Sequence, residues 1–264
     1  MIDHKFKKKF GQNFLQDKNI IKKIANVAET NNEDLIIEVG PGAGALTKKL
    51  KKYNANLIAY EIDHDTEDYL LPLEDDKTKI IYDDFLKRDI KADIEDIKYD
   101  TLYIIGNLPY YITTPIITNI INSGLDVKKI VIMIQKEVAD RFSARPNSKE
   151  YGSITVFLNY FFNIRKELIV SKKKFNPMPN VDSAVISLNR KDDLEPTDFE
   201  KFNKLVKDSF QFKRKNLRNN LRNYDLNKLE EILQSIGFTL NDRAETLTFE
   251  DFVFITNEYY DINN

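Results

Sequence analysis

The sequence predicts an α/β chain with a mostly parallel central sheet, followed by a small all-helical C-terminal domain, and three observations carry that prediction. Apolar runs of four or five residues at 35–39, 56–60, 79–82, 102–105 and 130–134 have the length of strands buried on both faces. Four of these runs lead into residues equipped for binding or chemistry: Gly40 and Gly42, Glu61, Asp84, and Asn107. Open α/β sheets bind ligands at that carboxyl edge. Past residue 190 the remaining period is helical, so the expected domains are 1–190 and 191–264.

Composition removes several chemistries. With no cysteine among 264 residues there is no disulfide, thiolate nucleophile or thiolate metal site, which suits a reducing compartment. Two histidines, His4 and His64, do not make a metal cluster, so no metal is expected. No apolar run approaches a membrane span, and the basic stretch from Lys5 to Lys9 leads into Phe10-Gly11-Gln12-Asn13 rather than a signal-peptide core. A cytoplasmic chain without membrane contact is the expectation. Net charge is −2, yet residues 1–23 carry +5, 165–191 +5 and 201–222 +7, against −9 for 60–100 and −7 for 223–264. One such run is ordinarily a solvated face; three basic segments around one site on an acidic body fit a polyanion-binding surface. Lys7, Lys8, Lys9, Lys172, Lys173, Arg214, Lys215, Arg218 and Arg222 are its candidate phosphate contacts.

After the basic arm, Ile20, Ile21, Ile24, Val27 and Ala28 recur at helical spacing and predict an amphipathic helix that closes over the domain with the arm. Residues 35–39 form the first strand and run into Gly40-Pro41-Gly42-Ala43-Gly44, with a helix starting near Leu46. Glycines there permit a tight turn and close approach of a ligand. The next strand ends at Glu61, about 20 residues on, the spacing at which an acid accepts hydrogen bonds from ribose hydroxyls. Nicotinamide dehydrogenases share that spacing, but their Gly-x-Gly-x-x-Gly serves a pyrophosphate, whereas here position 45 is Ala and Glu38 precedes the turn. S-adenosylmethionine carries no phosphate and suits the pattern. The third strand ends in Asp83-Asp84, where an acid can accept from the cofactor's adenine amino group. In this order the strand tips describe a class I methyltransferase.

The fourth strand is closed by Gly106, so that Asn107 emerges at the edge. Pro109 fixes its own φ and pushes Leu108 into an extended conformation, which turns the Leu108 carbonyl the same way as the Asn107 side-chain oxygen. Two acceptors then meet the amino protons of a planar base, with Tyr110 against its face. For those four residues alone, a strand followed by a proline turn is the plain alternative. Further on, helices are expected at 116–121 and 151–160 and a fifth strand at 130–134. An edge hairpin is expected from 164–170 and 181–188, with Phe175 on its loop between Pro-stiffened turns at Pro177 and Pro179. A linker at 190–193 leads to a helix opened by a capping box from Thr197 to Glu200. Phe202, Leu205, Val206 and Phe210, then Leu229, Ile232, Leu233 and Ile236, form stripes that read as helical core.

Beyond these readings, Gly40-Pro41-Gly42-Ala43-Gly44-Ala45-Leu46-Thr47, Glu61-Ile62-Asp63 and Asn107-Leu108-Pro109-Tyr110-Tyr111-Ile112 resemble the small-subunit ribosomal RNA adenine N6,N6-dimethyltransferase family. Gln135-Lys136-Glu137-Val138-Ala139-Asp140-Arg141, Lys149-Glu150-Tyr151-Gly152-Ser153, Phe175-Asn176-Pro177-Met178-Pro179-Asn180-Val181-Asp182-Ser183 and Lys215-Asn216-Leu217-Arg218-Asn219-Asn220-Leu221 extend the resemblance over essentially the whole chain. It implies a Rossmann-like class I methyltransferase fold and methyl transfer from S-adenosylmethionine to N6 of two adjacent adenosines in small-subunit rRNA. The actor it implies is a monomer working on the immature small subunit late in assembly.

The resemblance further implies that Gln12, Asn13 and Leu15 line the cofactor site with Gly40, Gly42, Glu61, Ile62, Asp84, Phe85 and Asn107. Tyr110 and Phe175 would sandwich the target adenine, with Asn107 and Leu108 as the acceptors. One departure is visible: Asp83 stands where the family commonly has Gly, and Asp84 is assigned to the adenine by register. Three other readings stand beside this one. They are a large-subunit rRNA adenine methyltransferase of the macrolide-resistance type, a DNA or protein amide methyltransferase with an Asn-Pro-Pro-Tyr loop, and a ribosome assembly factor with methylation secondary.

Overall fold

The structure, a computed structural model, describes residues 14–108 and 112–262. The chain forms two compact units, the first from Met1–Ala139 and Arg165–Arg190, the second from Asp140–Ile164 and Lys191–Asn264. The sequence reading drew one border, after 190; here residues 140–164 belong with the C-terminal helices, so the first unit is built from two separated stretches.

The first unit is organised by a seven-stranded sheet. Its strands are β1 (Leu35–Val39), β2 (Asn56–Glu61), β3 (Thr78–Tyr82), β4 (Leu102–Asn107), β5 (Val127–Gln135), β6 (Phe162–Val170) and β7 (Ser183–Arg190). They lie in the order β3-β2-β1-β4-β5-β7-β6. The pairs β1–β2, β2–β3, β1–β4 and β4–β5 are parallel, and β5–β7 is antiparallel. Strand order therefore turns back between β1 and β4, a topological switch point that opens a crevice at the carboxyl edge. β1 is buried at all five positions, which is why it reads as an unbroken apolar run.

The expected hairpin of 164–170 and 181–188 exists, but only one of its strands is at the edge. β7 is inserted beside β5 and buried over its first six residues, while β6 alternates and is largely exposed, as an edge strand is. Ahead of the sheet, the helix Lys18–Ala28 is capped by Asp17, which accepts from the Asn19 and Ile20 N–H groups, and it buries Ile21, Ile24, Ala25 and Ala28. Its carboxyl end is held by Lys129, whose Nζ lies 3.1 Å from the Val27 carbonyl oxygen and 2.5 Å from the Glu29 carboxylate.

The second unit is helical, and its core is aromatic. Phe157, Tyr160 and Phe161 of the helix Ser153–Phe161 meet Phe199 of the helix Phe199–Ser209 at centroid distances of 5.5, 6.1 and 5.0 Å. Tyr160 also meets Phe202 at 5.1 Å. Their polar ends are matched: Tyr151 Oη donates to the Leu247 carbonyl at 2.9 Å and Tyr160 Oη to that of Glu195 at 2.8 Å. The helix expected to open with a Thr197–Glu200 capping box instead starts one residue later. Asp198 accepts the Lys201 N–H at 3.1 Å, and the Thr197 hydroxyl is buried without a partner. A carboxylate is the stronger acceptor for exposed helix N–H groups, and it takes the cap.

Candidate active site at the strand edge

The β1 tip turns at once into residues 40–44. Gly42 adopts φ +57°, and a Cβ there would stand 2.6 Å from Cε1 of Phe14, so the ring is seated where a side chain would be. Gly106 is needed for a different reason: a Cβ would approach the Val39 carbonyl oxygen to 2.6 Å. Its absence lets β4 run close beside β1 and brings the Asn107 carbonyl oxygen to 3.7 Å from where a Gly40 Cβ would stand. Two strand tips, one bearing the glycine turn and one bearing Asn107, are thus held side by side.

Glu61 closes the β2 tip. It is 5% exposed, its Oε2 accepts the Gly42 N–H at 2.8 Å and its Oε1 accepts the Asp63 N–H at 2.9 Å. Burial pushes its pKa up, and those two backbone donors partly counter the rise. Glu38, one residue inside the β1 tip, is 1% exposed with Oε2 unpartnered. Burial pushes its carboxyl up to about 8; the neighbouring Thr47 lowers it and the Glu61 charge adds to the rise. With the Glu38 carboxyl held protonated by burial, Glu61 is the acid that faces the glycine turn, and it suits a ligand that offers hydroxyls in place of a pyrophosphate. Each Glu61 oxygen, having accepted one backbone bond, retains a lone pair for a hydroxyl.

Around them the remaining residues take distinct places. Asp84 accepts the Leu86 N–H at 3.1 Å, while Asp83 accepts the Asp84 N–H at 2.7 Å and lies 3.6 Å from Arg88. Phe85 is buried with its ring edge-on to Tyr60 at 5.3 Å, and Ile62 is 46% exposed, an apolar side chain turned to solvent at the β2 tip. Leu108 is buried and its N–H donates to the Met133 carbonyl at 3.2 Å. Lys7, Lys8, Lys9, Gln12, Asn13 and Tyr110 lie outside the described residues.

Phe175 is placed in a way that periodicity could not show. With Asn176 it forms a two-residue strand antiparallel to Phe14–Leu15, Leu15 opposite Phe175. The Gln16 N–H donates to the Lys174 carbonyl at 3.0 Å, and Lys174 Nζ pairs with Asp17 at 2.8 Å. Phe175 is 6% exposed, in an apolar cluster with Ile24, Val170 and Val185, against which Leu15 packs. The segment carrying Phe14, whose ring covers Gly42, is therefore zipped to the segment carrying Phe175. Phe14 was not among the residues singled out from sequence; its position beside Leu15 in the Gln12-Asn13-Phe14-Leu15 stretch was the available signal.

The basic residues divide. Lys172 Nζ donates to the Asn180 carbonyl at 3.2 Å, and Lys173 is exposed. In the second unit Arg214, Lys215, Arg218 and Arg222 are exposed, with Arg218 3.4 Å from Glu230. No helix of the described residues is long and apolar enough to cross a membrane.

The model of the family described as ribosomal RNA adenine dimethylase matches residues 3–261. The ribosomal RNA small subunit methyltransferase A of Ligilactobacillus salivarius is 43% identical over 269 residues, 96% of this chain and 89% of that protein. Its namesake from Mycoplasma mobile is 41% identical over 268 residues, 99% of this chain and 100% of that protein. Among solved structures, a dimethyladenosine transferase from Plasmodium falciparum superposes with a TM-score of 0.79 at 25% identity, covering 95% of this chain and 98% of that one. The 23S rRNA methyltransferase ErmE shares the fold, with a TM-score of 0.71 at 23% identity over 94% and 100% of the two chains. With a class I methyltransferase sheet, a glycine turn beside Asn107 and a family match spanning nearly its full length, the chain belongs to the ribosomal RNA adenine dimethylase family.

Proposed function

We propose that this enzyme transfers two methyl groups from S-adenosylmethionine to N6 of each of two adjacent adenosines in small-subunit rRNA. The observation that carries the reading is the placement of Asn107 beside the glycine turn, its carbonyl oxygen 3.7 Å from the position of a Gly40 Cβ. One strand tip can hold the methyl donor and its neighbour can hold the acceptor. Gly40, Gly42, Glu61, Ile62, Asp84 and Phe85 would bind the cofactor, with Leu15 and the undescribed Gln12 and Asn13 completing the site. When bound, S-adenosylmethionine supplies a methyl group activated on a sulfonium, which needs no acid to leave.

The chain's own task is the nitrogen. The N6 lone pair of adenine is delocalised into the ring, so the amino group is a poor nucleophile until it pyramidalises. Accepting its protons on Asn107 Oδ1 and the Leu108 carbonyl stabilises the pyramidal form, an interaction stronger in the transition state than in the ground state. Burial of Leu108 and the bond from its N–H to the Met133 carbonyl hold the residue that carries this second acceptor. After one methyl transfer the nitrogen is cationic and loses a proton to solvent, so a single N–H remains, and one acceptor suffices to orient it for the second. Tyr110 and Phe175 hold the base between rings, entry of the base uncovering the Phe175 face; stacking offsets the few kcal/mol, roughly, of unstacking the adenosine.

The basic segments hold the rRNA backbone, and the substrate is the immature small subunit late in assembly, met in the cytoplasm by a monomer. Full-length similarity to small-subunit methyltransferases supports this target over large-subunit rRNA. The deciding experiment offers purified small and large subunits with labelled S-adenosylmethionine, followed by nuclease digestion and mass spectrometry. N6,N6-dimethyladenosine in small-subunit rRNA is expected; label confined to large-subunit rRNA, or monomethyladenosine alone at saturating cofactor, overturns the reading.

A further inference from the structure

Between the helices Phe199–Ser209 and Leu217–Asn220 the chain makes a turn that carries an uncovered aromatic ring. Phe212 is 53% exposed, whereas Phe157, Phe161, Phe202 and Phe252 of the same unit are buried. The ring has no aromatic partner among the described residues. Its backbone, by contrast, is fixed from both sides. The Phe212 N–H donates to Asn220 Oδ1 at 3.1 Å, and its carbonyl accepts from the Lys215 N–H at 2.8 Å and from Asn220 Nδ2 at 3.4 Å.

Asn220 is itself 7% exposed and also donates to the Ser209 carbonyl at 2.7 Å, so its amide is committed to this turn. Just beyond, the Leu217 and Arg218 N–H groups donate to the Asp242 and Leu240 carbonyls at 2.8 and 2.9 Å. A loose loop would let a phenylalanine fold back onto apolar surface. Here the backbone of the turn is held and the ring is half exposed.

The surroundings say what it faces. Lys213, Arg214, Lys215, Arg218 and Arg222 are all exposed, and no acidic residue occurs from Ser209 to Tyr224. Charge alone asks for a polyanion of any kind. Lys213 Nζ donates to the Lys149 carbonyl and Arg218 lies beside Glu230, which leaves Arg214, Lys215 and Arg222 for a ligand. An exposed ring on a held backbone in so basic a segment asks for a polyanion that also offers flat apolar surface, and an unpaired nucleotide supplies both, a phosphate for the cations and a base for the ring.

We propose that Phe212 is a stacking platform for an unpaired nucleotide of the rRNA, so that the second unit distinguishes single-stranded or bulged RNA from duplex. The inference rests on the rRNA reading above and adds to it a contact that responds to more than backbone charge.

The test compares Phe212→Ala, Phe212→Trp and the double variant Arg214→Gln/Arg222→Gln on three probes: purified unmethylated small subunits, a labelled hairpin RNA with an unpaired loop, and a fully paired RNA duplex of equal length. Phe212→Ala should keep the parent melting temperature and weaken binding to subunits and hairpin about tenfold. Duplex binding should be unchanged. The slope of log affinity against log salt should also be unchanged, because no counterion-releasing charge has gone. Phe212→Trp should restore affinity, and the double arginine variant should instead lower the salt slope on every probe.

Parent-like binding of subunits and hairpin by Phe212→Ala, or an equal loss on duplex, overturns the proposal. If the parent chain itself fails to bind small subunits, the rRNA reading fails and takes this one with it. If the parent binds and only Phe212→Ala is silent, the stacking role alone is refuted.

Discussion

At the strand edge of the first unit Glu38 and Glu61 are buried; on the turn and short helix at 211–222 of the second the charged groups stand in water. Glu61 has both oxygens on backbone N–H groups and Glu38 is almost fully enclosed, whereas Arg214 and Arg222 are exposed. A buried site gains from every atom that is in place and loses steeply when one is moved, because a desolvated polar group has no water to fall back on. An exposed cationic face works by addition, each charge contributing a similar small share. Perturbing each region tests the contrast.

The largest effect is expected at Asn107. Asn107→Ala should lower turnover on small subunits by about 100-fold or more, the order seen when one transition-state hydrogen-bonding group is removed from an active site. The melting temperature should hold, and any loss of cofactor affinity by calorimetry should be far smaller than the loss of turnover. A collapse of the fold would show that the residue serves the β4 tip and not the reaction.

Next comes a pH effect from Glu38. Burial pushes its carboxyl up to about 8 in the folded chain, from the 4.5 usual for an exposed glutamate, so across that window the folded chain binds a proton that the unfolded chain releases. The associated stability is present below the lower value and is lost as pH rises through the upper one. Cofactor-free protein should therefore melt higher at pH 6 than at pH 9, by a difference on the order of 2–4 kcal/mol. Glu38→Gln should remove most of it, leaving the smaller dependence of the same sign from Glu61. Equal melting at both pH values in the parent would show that Glu38 is ionised and compensated.

Two glycines sharpen the comparison further. Gly42→Ala should cost about 2–3 kcal/mol in denaturant unfolding, since the residue has φ +57° and the new methyl meets the Phe14 ring. Gly237→Ala, with φ +84° and no atom within 4 Å, should cost only the backbone share of roughly 1–2 kcal/mol. Equal losses would mean that Phe14 yields without resistance. The smallest effect is expected from Arg214→Gln/Arg222→Gln, which should leave stability within about 0.5 kcal/mol of the parent.

These regions also differed in how far they could be read from sequence. The strand runs, the glycine turn and the acid about 20 residues on were legible because a period of two buried faces and a left-handed turn are local properties. So was Asn107 at a strand tip, since Gly106 ends the apolar run. Pairing of Phe14–Leu15 with Phe175–Asn176 was not legible: two residues carry no period, and the partners are some 160 positions apart. The burial of Phe175 follows from that pairing and was hidden with it. Thr197 and Asp198 both suit the cap position, and the stronger acceptor, the Asp198 carboxylate, takes it. Residues 140–164 read as a continuation of the domain before them; their attachment to Phe199 and Phe202 depends on chain that comes later.

That last feature bears on how the molecule is made. The helix Ser153–Phe161 carries Phe157, Tyr160 and Phe161 out of the ribosome about 40 residues ahead of Phe199 and Phe202. At roughly 5–20 residues per second, that apolar face stays uncovered for about 2–8 seconds in each round of synthesis. In a protein cut at Arg190 it would never be covered at all. Removing the C-terminal helices therefore yields a sheet domain with an adhesive helix attached, and a trimmed form of the first unit should lose the helix Ser153–Phe161 as well while keeping β6, which starts at Phe162.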